Sequence, residues 1–157
     1  MKLLFRQRIF SWFDSYDIYN EEGGVAFNVE GKLSWGHRLE IHDPAGNHVG
    51  TVKEVVPSFL PRCSLYGADG ECLGQIRKEF SLFKPVYTLD CRDWVVNGDF
   101  LGWDYRVTDS AGREILTATK ELFHMSDVYS MDIPDRQNAL LCLMIVLAID
   151  IARDRRN

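Results

Sequence analysis

One stretch near the end of the chain constrains the fold more than any other. Residues 139–149 are eleven consecutive apolar residues, preceded by a helix-start signal at Pro134 and Asp135 and followed by arginines that suit a helix C-terminus. A helix without a polar stripe must be buried on all sides, in a membrane or in a protein interior. Eleven residues span only about 16 Å, against roughly 30 Å of bilayer hydrocarbon. We therefore predict a buried hydrophobic helix over about residues 135–153.

Length and charge limit what the rest of the chain can be. With 157 residues and no Gly/Ser-rich linker, the chain is predicted to be a single domain over residues 1–157. A formal net charge of −5 argues against nucleic-acid binding, which needs a basic surface. The apolar segment 3–5 is too short for a secretory signal and is interrupted by Arg6 and Arg8. We expect a cytoplasmic protein that is not an integral membrane protein.

A turn pattern that recurs four times before the helix predicts β-hairpins. Each copy ends in glycine, and three of the four open with Asn or Asp, which is the chemistry of a type I turn closed by a left-handed residue. Asp43 and Asp109, as first turn residues, are expected to accept hydrogen bonds from their own turns. A basic residue lies near the end of each following strand. The turns are at 20–23, 43–46, 67–70 and 109–112, and the basic residues are Lys32, Lys53, Lys78 and Lys120.

The segments around these turns predict twelve strands and a mainly β fold. Twelve antiparallel strands joined in sequence favour a closed barrel, because closure removes exposed edges. A barrel of twelve strands is too wide for side chains alone to fill, and an α-helix about 10–12 Å across would fill it. We predict a twelve-stranded antiparallel closed barrel around the central hydrophobic helix. The predicted strands lie near 4–10, 15–20, 24–31, 37–43, 48–55, 62–67, 71–79, 85–90, 93–97, 99–108, 113–122 and 126–133.

Four motifs identify a family that this chain resembles. They are residues 31–37 (GKLSWGH), 78–85 (KEFSLFKP), 98–105 (GDFLGWDY) and 145–150 (IVLAID). Together they are similar to the LURP-one-related (YxjI-like) proteins of the Tubby C-terminal-like superfamily, with phospholipid scramblases as more distant relatives. The resemblance implies a twelve-stranded barrel around a hydrophobic helix and no defined biochemical activity. Residues 123–127 depart from the Trp-Gly-Asp-like turn expected there.

Catalytic and metal-binding patterns are absent from the sequence. There is no Gly-x-Ser-x-Gly elbow, phosphate-binding glycine loop or His-Glu-x-x-His motif. The four cysteines lack zinc-site spacing, and His42 and His48 would need further ligands to hold a metal. We predict no cofactor, no metal and no catalysis. The alternative is a small-molecule-binding protein or an enzyme that uses a pocket at the barrel mouth.

Asp150 interrupts the apolar helix and has two interpretations. It is a buried functional carboxylate, or it lies about 22 Å along the helix from Asp135 and so near the far mouth of the barrel. The second interpretation is favoured, because an enclosed Asp150 would need a donor to offset the cost of burying its charge.

Aromatic residues recur where strands are expected to break. One interpretation is packing at the corners of the barrel. The other is an aromatic rim that touches a membrane surface or a ligand. The residues concerned are Trp35, Phe59, Phe83, Trp103 and Phe123.

A basic cluster in the middle third is the candidate binding site. The superfamily resemblance implies binding of phosphoinositide headgroups by Lys and Arg on the outside of the barrel, and both residues bind phosphates well. Scattered solvated charges are the other interpretation, since neighbouring residues of a strand point to opposite faces. We predict a non-catalytic module for an anionic phospholipid, peripheral at a membrane, or for an unknown protein; a scramblase-like protein is a weaker alternative. The cluster is Lys53, Arg62, Arg77, Lys78 and Lys84.

Overall fold

Twelve antiparallel strands in the computed structural model form one closed barrel, and a helix follows them. Each strand pairs with its neighbours in sequence, and the first strand closes the barrel on the twelfth. The predicted fold is therefore confirmed. The structure describes residues 1–5, 15–83, 86–90, 92–99, 103–123 and 126–154.

The strands are short and evenly spaced along the chain. They are β1 (Lys2–Phe5), β2 (Ser15–Asn20), β3 (Val25–Lys32), β4 (Arg38–His42), β5 (His48–Glu54), β6 (Arg62–Gly67), β7 (Cys72–Glu79), β8 (Val86–Leu89), β9 (Val95–Asp99), β10 (Asp104–Thr108), β11 (Glu114–Phe123) and β12 (Ser126–Asp132). A 3-10 turn (Arg136–Asn138) and the helix α1 (Ala139–Asp154) complete the fold.

The central helix begins and packs as its sequence predicts. Asp135 caps the 3-10 turn, where its side chain accepts a hydrogen bond of 3.0 Å from the backbone N–H of Gln137. Most of α1 is buried inside the barrel. A Cβ atom on Gly50 of β5 would collide with Cε of Met144, so glycine there lets the barrel wall approach the helix.

The two ends of the barrel are connected differently. The turn end contains the tight turns at 20–24, 43–47, 67–71 and 109–113. At the loop end, loops at 33–37, 55–61 and 80–85 join β3 to β4, β5 to β6 and β7 to β8. Helix α1 follows β12 at the turn end and runs toward the loop end.

The predicted turn chemistry is confirmed at the turn end. Asp43 accepts hydrogen bonds from the backbone N–H groups of Ala45 and Asn47 at 3.0 and 2.9 Å. Asp109 accepts bonds from the corresponding groups in its own turn. The closing glycines have positive φ, between 78° and 88°, as a left-handed residue requires.

Two predicted strand boundaries differ from the structure. The first predicted strand ran over 4–10, whereas β1 is Lys2–Phe5 and residues 6–14 lie outside the described part of the chain. The tenth was predicted over 99–108, but Asp99 ends β9 and β10 starts at Asp104. Trp103 has φ 56°, a left-handed conformation that an extended strand cannot include and that is uncommon for a bulky residue.

Candidate functional site

Three cations form a row on the outer face of the barrel at the loop end. Lys32 lies opposite Arg38, and Arg38 lies opposite Lys53, on the paired strands β3, β4 and β5. In each strand the adjacent residue is buried, so these three side chains point outward. Like charges directly opposite one another destabilise a sheet. Fold stability therefore does not explain this row.

Two arginines extend the row onto β6 and β7. Arg62 lies opposite Arg77, and Arg62 is two residues from Ser64, the partner of Lys53. Lys53 and Arg62 are thus diagonal neighbours on one face, at about 7–8 Å by the usual sheet spacing. We call the resulting surface the basic band. It consists of Lys32, Arg38, Lys53, Arg62 and Arg77.

The remaining residues of the predicted basic cluster do not join this surface. Lys78 lies on the face of β7 that carries the buried Ile76, opposite Tyr87. Lys84 lies outside the described residues. The cluster inferred from the sequence omitted Lys32 and Arg38, because only strand register places them beside Lys53.

Two members of the basic band have carboxylate partners in their own strands. The Lys32 ammonium lies 2.8 Å from Glu30, and the Arg38 guanidinium lies 3.4 Å from Glu40. The hydrogen bond from Lys32 lowers the pKa of Glu30, and the same bond raises the pKa of Lys32. Both pairs are partly exposed, and exposed pairs contribute little to stability.

The other members are less compensated. Arg77 lies 3.9 Å from Asp90, which is a loose pair. Among the described residues, no carboxylate lies within 4.0 Å of Lys53 or Arg62. These two side chains are therefore the most available positive charges of the basic band.

A groove on the outer surface borders the basic band. It has a volume of about 430 Å³, and Arg38 and Lys53 lie on one side of it. The imidazole Nε2 of His48 and the hydroxyl of Thr51 lie 2.8 Å apart in its wall. The groove also includes Tyr66 and the β6–β7 turn. Asp69 of that turn also lines the groove, but its two cations and two hydroxyl groups suit an anion of phosphate type.

Asp150 is buried, although it was expected near the barrel mouth. It lies four residues before the end of α1, near the loop end, yet it is only 3% exposed. One carboxylate oxygen lies 3.3 Å from the Arg153 guanidinium, which supplies the donor that burial requires. Asp150 therefore lies near the far end of the helix as expected, and its burial, which the sequence left open, is met by the donor that it required.

Buried tyrosines surround this ion pair. Burial raises the pKa of Tyr16 and of Tyr105 well above 10.0, and the negative charge of Asp150 raises both further. Burial also raises the pKa of Tyr87 to about 12. These phenols stay neutral at physiological pH.

A second buried pair, His37 with Glu54, lies at the loop end. It was not predicted from the sequence. Nδ1 of His37 lies 3.1 Å from Glu54, whose carboxylate also accepts the backbone N–H of His37 at 3.2 Å. The backbone N–H of Glu54 in turn donates to the carbonyl of His37 at 2.8 Å. The available signal was alternation along β5, which places Glu54 on the inner face with Gly50 and Val52.

One small cavity lies in the interior among the described residues. A cavity beside the end of α1, lined partly by Glu54, Tyr87 and Ala148, measures about 10 Å³, enough for one water molecule. The rings of His42 and His48 approach to 5.8 Å, as expected across their hairpin. Within the described ranges, no group of three His, Cys, Asp or Glu side chains could hold a metal ion.

The aromatic residues at strand breaks divide into two groups. Trp103 is buried and packs edge-on against Phe5, Tyr105 and Tyr129. Trp35 is 89% exposed, and Phe59 and Phe83 are exposed as well; the side chain of Phe123 lies outside the described part. Packing therefore accounts for Trp103, whereas contact of the exposed residues with a membrane surface or a ligand stays a prediction.

These features define a class: a closed β-barrel filled by its own C-terminal helix, with its candidate binding features on the outside. Over the part of the chain that the structure describes, no helix has both the length and the apolarity needed to cross a bilayer. The 16 residues of α1 reach only about 24 Å.

The chain belongs to the LURP-one-related family, whose model matches residues 1–150. It is similar to the Uncharacterized protein YxjI of Bacillus subtilis (strain 168), with 24% identity over 152 residues that cover 96% of this chain and 93% of that protein. An X-ray structure of a protein from Arabidopsis thaliana is also similar, with a TM-score of 0.65 and 17% identity, and the match covers 96% of this chain and 90% of that one. The predicted family is confirmed. Neither relative's name states an enzymatic activity.

Proposed function

We propose that this chain is a non-catalytic binding module that engages anionic phospholipid headgroups at a membrane surface through the basic band. The observation that carries the proposal is the five-residue band itself, because a chain with a net charge of −5 gathers these cations on one side of one barrel end. In this proposal residues 1–157 act as one cytoplasmic unit that binds the membrane peripherally.

The physical basis is charge complementarity at short range. Anionic lipids attract basic residues near the membrane with about 1 kcal/mol per Lys or Arg. Lys53 and Arg62 contribute most, because no described carboxylate neutralises them. Lys32 and Arg38 contribute less while they remain paired with Glu30 and Glu40.

The groove beside the basic band favours one alternative ligand, a soluble compound that carries the same phosphate chemistry as a lipid headgroup. Its volume of about 430 Å³ and its cations Arg38 and Lys53 would also accept a small soluble phosphate compound. A barrel-mouth enzyme has less support, because α1 fills the interior and the cavity beside it holds about one water molecule.

The test is co-sedimentation of the full chain with vesicles of phosphatidylcholine alone or mixed with phosphatidylserine. We expect binding to the mixed vesicles at low salt, and we expect Lys53→Gln with Arg62→Gln to weaken it by about 2 kcal/mol, or about 30-fold. The matched control, Arg113→Gln with Arg136→Gln, removes the same charge at the turn end and should leave binding unchanged.

Three outcomes separate the alternatives. Binding that requires phosphatidylserine and weakens only in the loop-end variant supports the proposal. Direct binding of inorganic phosphate, without sedimentation with any vesicle, would assign the groove to a soluble ligand instead. Equal losses in both double variants would show a response to net charge alone and would contradict a role for the basic band.

A further inference from the structure

The large apolar side chains that are exposed in the described residues are concentrated at the loop end of the barrel. Val25, beside the β2–β3 turn, is the one described exception. The others lie in the loops at 33–37, 55–61 and 80–85. We call this surface the apolar rim. It consists of Leu33, Trp35, Val56, Phe59, Phe80, Leu82 and Phe83.

The apolar rim makes little contribution to the folded core. Phe59 is 95% exposed and Phe83 is 93% exposed, so their side chains remain almost fully in water. Isolated exposed apolar residues are normal on protein surfaces. Seven of them on three loops at one end are not isolated, and their hydration is unfavourable until something covers them.

Two of the three loops of the apolar rim adjoin the basic band in the chain, and the third begins three residues after Arg77. The loop at 33–37 runs directly from Lys32 to Arg38, and the loop at 55–61 ends at Arg62. No Asp or Glu occurs in the described residues of the three loops. Over β3 to β7 the apolar tips therefore extend beyond the basic band, and one partner can contact both; exposed Glu79, Asp99 and Asp104 also lie at this end of the barrel.

We propose that the apolar rim inserts into the interface of an anionic bilayer, so that the barrel stands on its loop end with the basic band at headgroup level. Trp and Phe favour the membrane interface, and apolar residues there reach about 5–10 Å into the boundary between headgroups and acyl chains. This inference rests on the proposed function and deepens it, because it adds insertion to headgroup binding.

Charge argues for a bilayer rather than a second copy of the chain. A twofold interface through the apolar rim would bring the same patch of each copy together. It would also bring the two basic bands toward each other, including the unneutralised Lys53 and Arg62. An anionic membrane places opposite charge at those positions and accommodates side chains that project from separate loops.

Docking on the loop end fixes the orientation of the molecule. The C-terminal end of α1 faces the bilayer, since the helix runs toward the loop end. The turn end, where Asp43, Asp69 and Asp109 lie, faces away from the negative membrane surface. Side-on docking through the groove alone would leave Trp35 in water.

Trp35 provides a direct test in a Trp12→Phe parent, because Trp94 and Trp103 are buried and Trp12 lies outside the described residues. The full chain is mixed with phosphatidylcholine–phosphatidylserine vesicles whose acyl chains carry a spin-label quencher. We expect a blue shift and quenching of tryptophan emission on vesicle binding. Trp35→Phe, which keeps an aromatic side chain at the same position, should lose most of that change while it still binds.

A second variant separates insertion from headgroup attraction. Phe59→Ser with Phe83→Ser should weaken vesicle binding at least tenfold, also at high salt, whereas Lys53→Gln with Arg62→Gln should act mainly at low salt. Val25→Ser, an exposed apolar residue away from the loop end, is the matched control and should bind normally.

The outcomes distinguish this inference from the proposed function. Sedimentation with vesicles without quenching of Trp35 would overturn insertion and leave headgroup binding standing. Failure to bind any vesicle at low salt would overturn both. Self-association that is lost in Phe59→Ser with Phe83→Ser, without vesicle binding, would assign the apolar rim to a second copy and overturn the inference.

Discussion

The turn end and the loop end of this barrel distribute polarity in opposite ways. At the turn end, carboxylates such as Asp43 and Asp109 lie on the outside, where they hold tight turns in place. At the loop end, the three loops of the apolar rim expose apolar side chains, and the carboxylates of Glu54 and Asp150 are enclosed by the barrel, although Asp99 and Asp104 are exposed on β9 and β10. Stability of the fold explains the exposed carboxylates of the turn end. It does not explain the exposed apolar side chains of the loop end.

This difference indicates that the exposed residues that stabilise the fold lie at the turn end, whereas the candidate binding surface lies at the loop end. The turns bond their own backbone, so changing them should affect folding. The apolar rim is mostly in water and should affect folding little. Buried pairs are the exception at the loop end, because Asp150 with Arg153, like His37 with Glu54, belongs to the core although it lies behind the apolar rim.

The largest expected effect concerns this exception. Asp150→Asn leaves Arg153 without its carboxylate in a site where the two side chains are 3% and 10% exposed. Removing one partner of a buried pair typically costs about 3–5 kcal/mol. We expect urea unfolding to show a loss of this size, and Arg113→Gln in the exposed pair at the turn end should lose far less. Similar losses in both variants would remove the distinction between the two ends.

A second effect appears at high pH. Burial, and then the charge of Asp150, raises the pKa of Tyr105 above its usual 10.0. A raised pKa in the folded state gives stability that is complete below pH 10 and is lost as pH rises from there toward the folded-state value. The unfolding midpoint should fall above pH 10, and Tyr105→Phe should fall less steeply. Parallel pH profiles of the two proteins would contradict this assignment.

A smaller loss of folding stability is expected at the turn end when the pH is lowered. The backbone hydrogen bond from Arg113 is the main cause that lowers the pKa of Asp109 below 3.8. A lowered pKa in the folded state gives stability that is present above pH 3.8 and is lost as pH falls from there toward the folded-state value. Asp109→Ala should be less stable than the parent protein at pH 7 and should lack this loss on acidification. Urea unfolding at pH 7 and below pH 4 checks both statements.

The smallest expected change in stability is at the apolar rim. Phe59→Ser with Phe83→Ser should alter the free energy of unfolding by no more than about 0.5 kcal/mol per site, as is usual for exposed positions. A loss of several kcal/mol would show that these side chains are part of the core. The double variant would then be unsuitable for testing insertion.

Much of this architecture can be predicted from local patterns. The apolar run at 139–149 requires enclosure, and the recurring turns, which end in residues such as Gly46 and Gly112, predict the hairpins that supply it. The break between β9 and β10 could not be predicted, because it depends on a left-handed Trp103 stabilised by packing rather than by its own propensity.

The candidate site was only partly predictable because it depends on strand register. Lys53 and Arg62 were identified from the sequence, but their proximity to Arg38 follows from pairings across three strands. The sequence left the enclosure of Asp150 open for a related reason. Helical spacing places Arg153 within reach, yet it does not show how far the barrel wall extends along the helix.

The order of elements along the chain has a consequence for biosynthesis. The N-terminal ammonium of Met1 donates to the carbonyl of Ile133 at 3.0 Å, and β1 pairs with β12. On the ribosome, β1 therefore emerges long before the strand that closes the barrel on it, and the helix that fills the lumen emerges later still. A nascent chain released early would present open strand edges and an empty interior, the kind of species that chaperones retain and proteases remove.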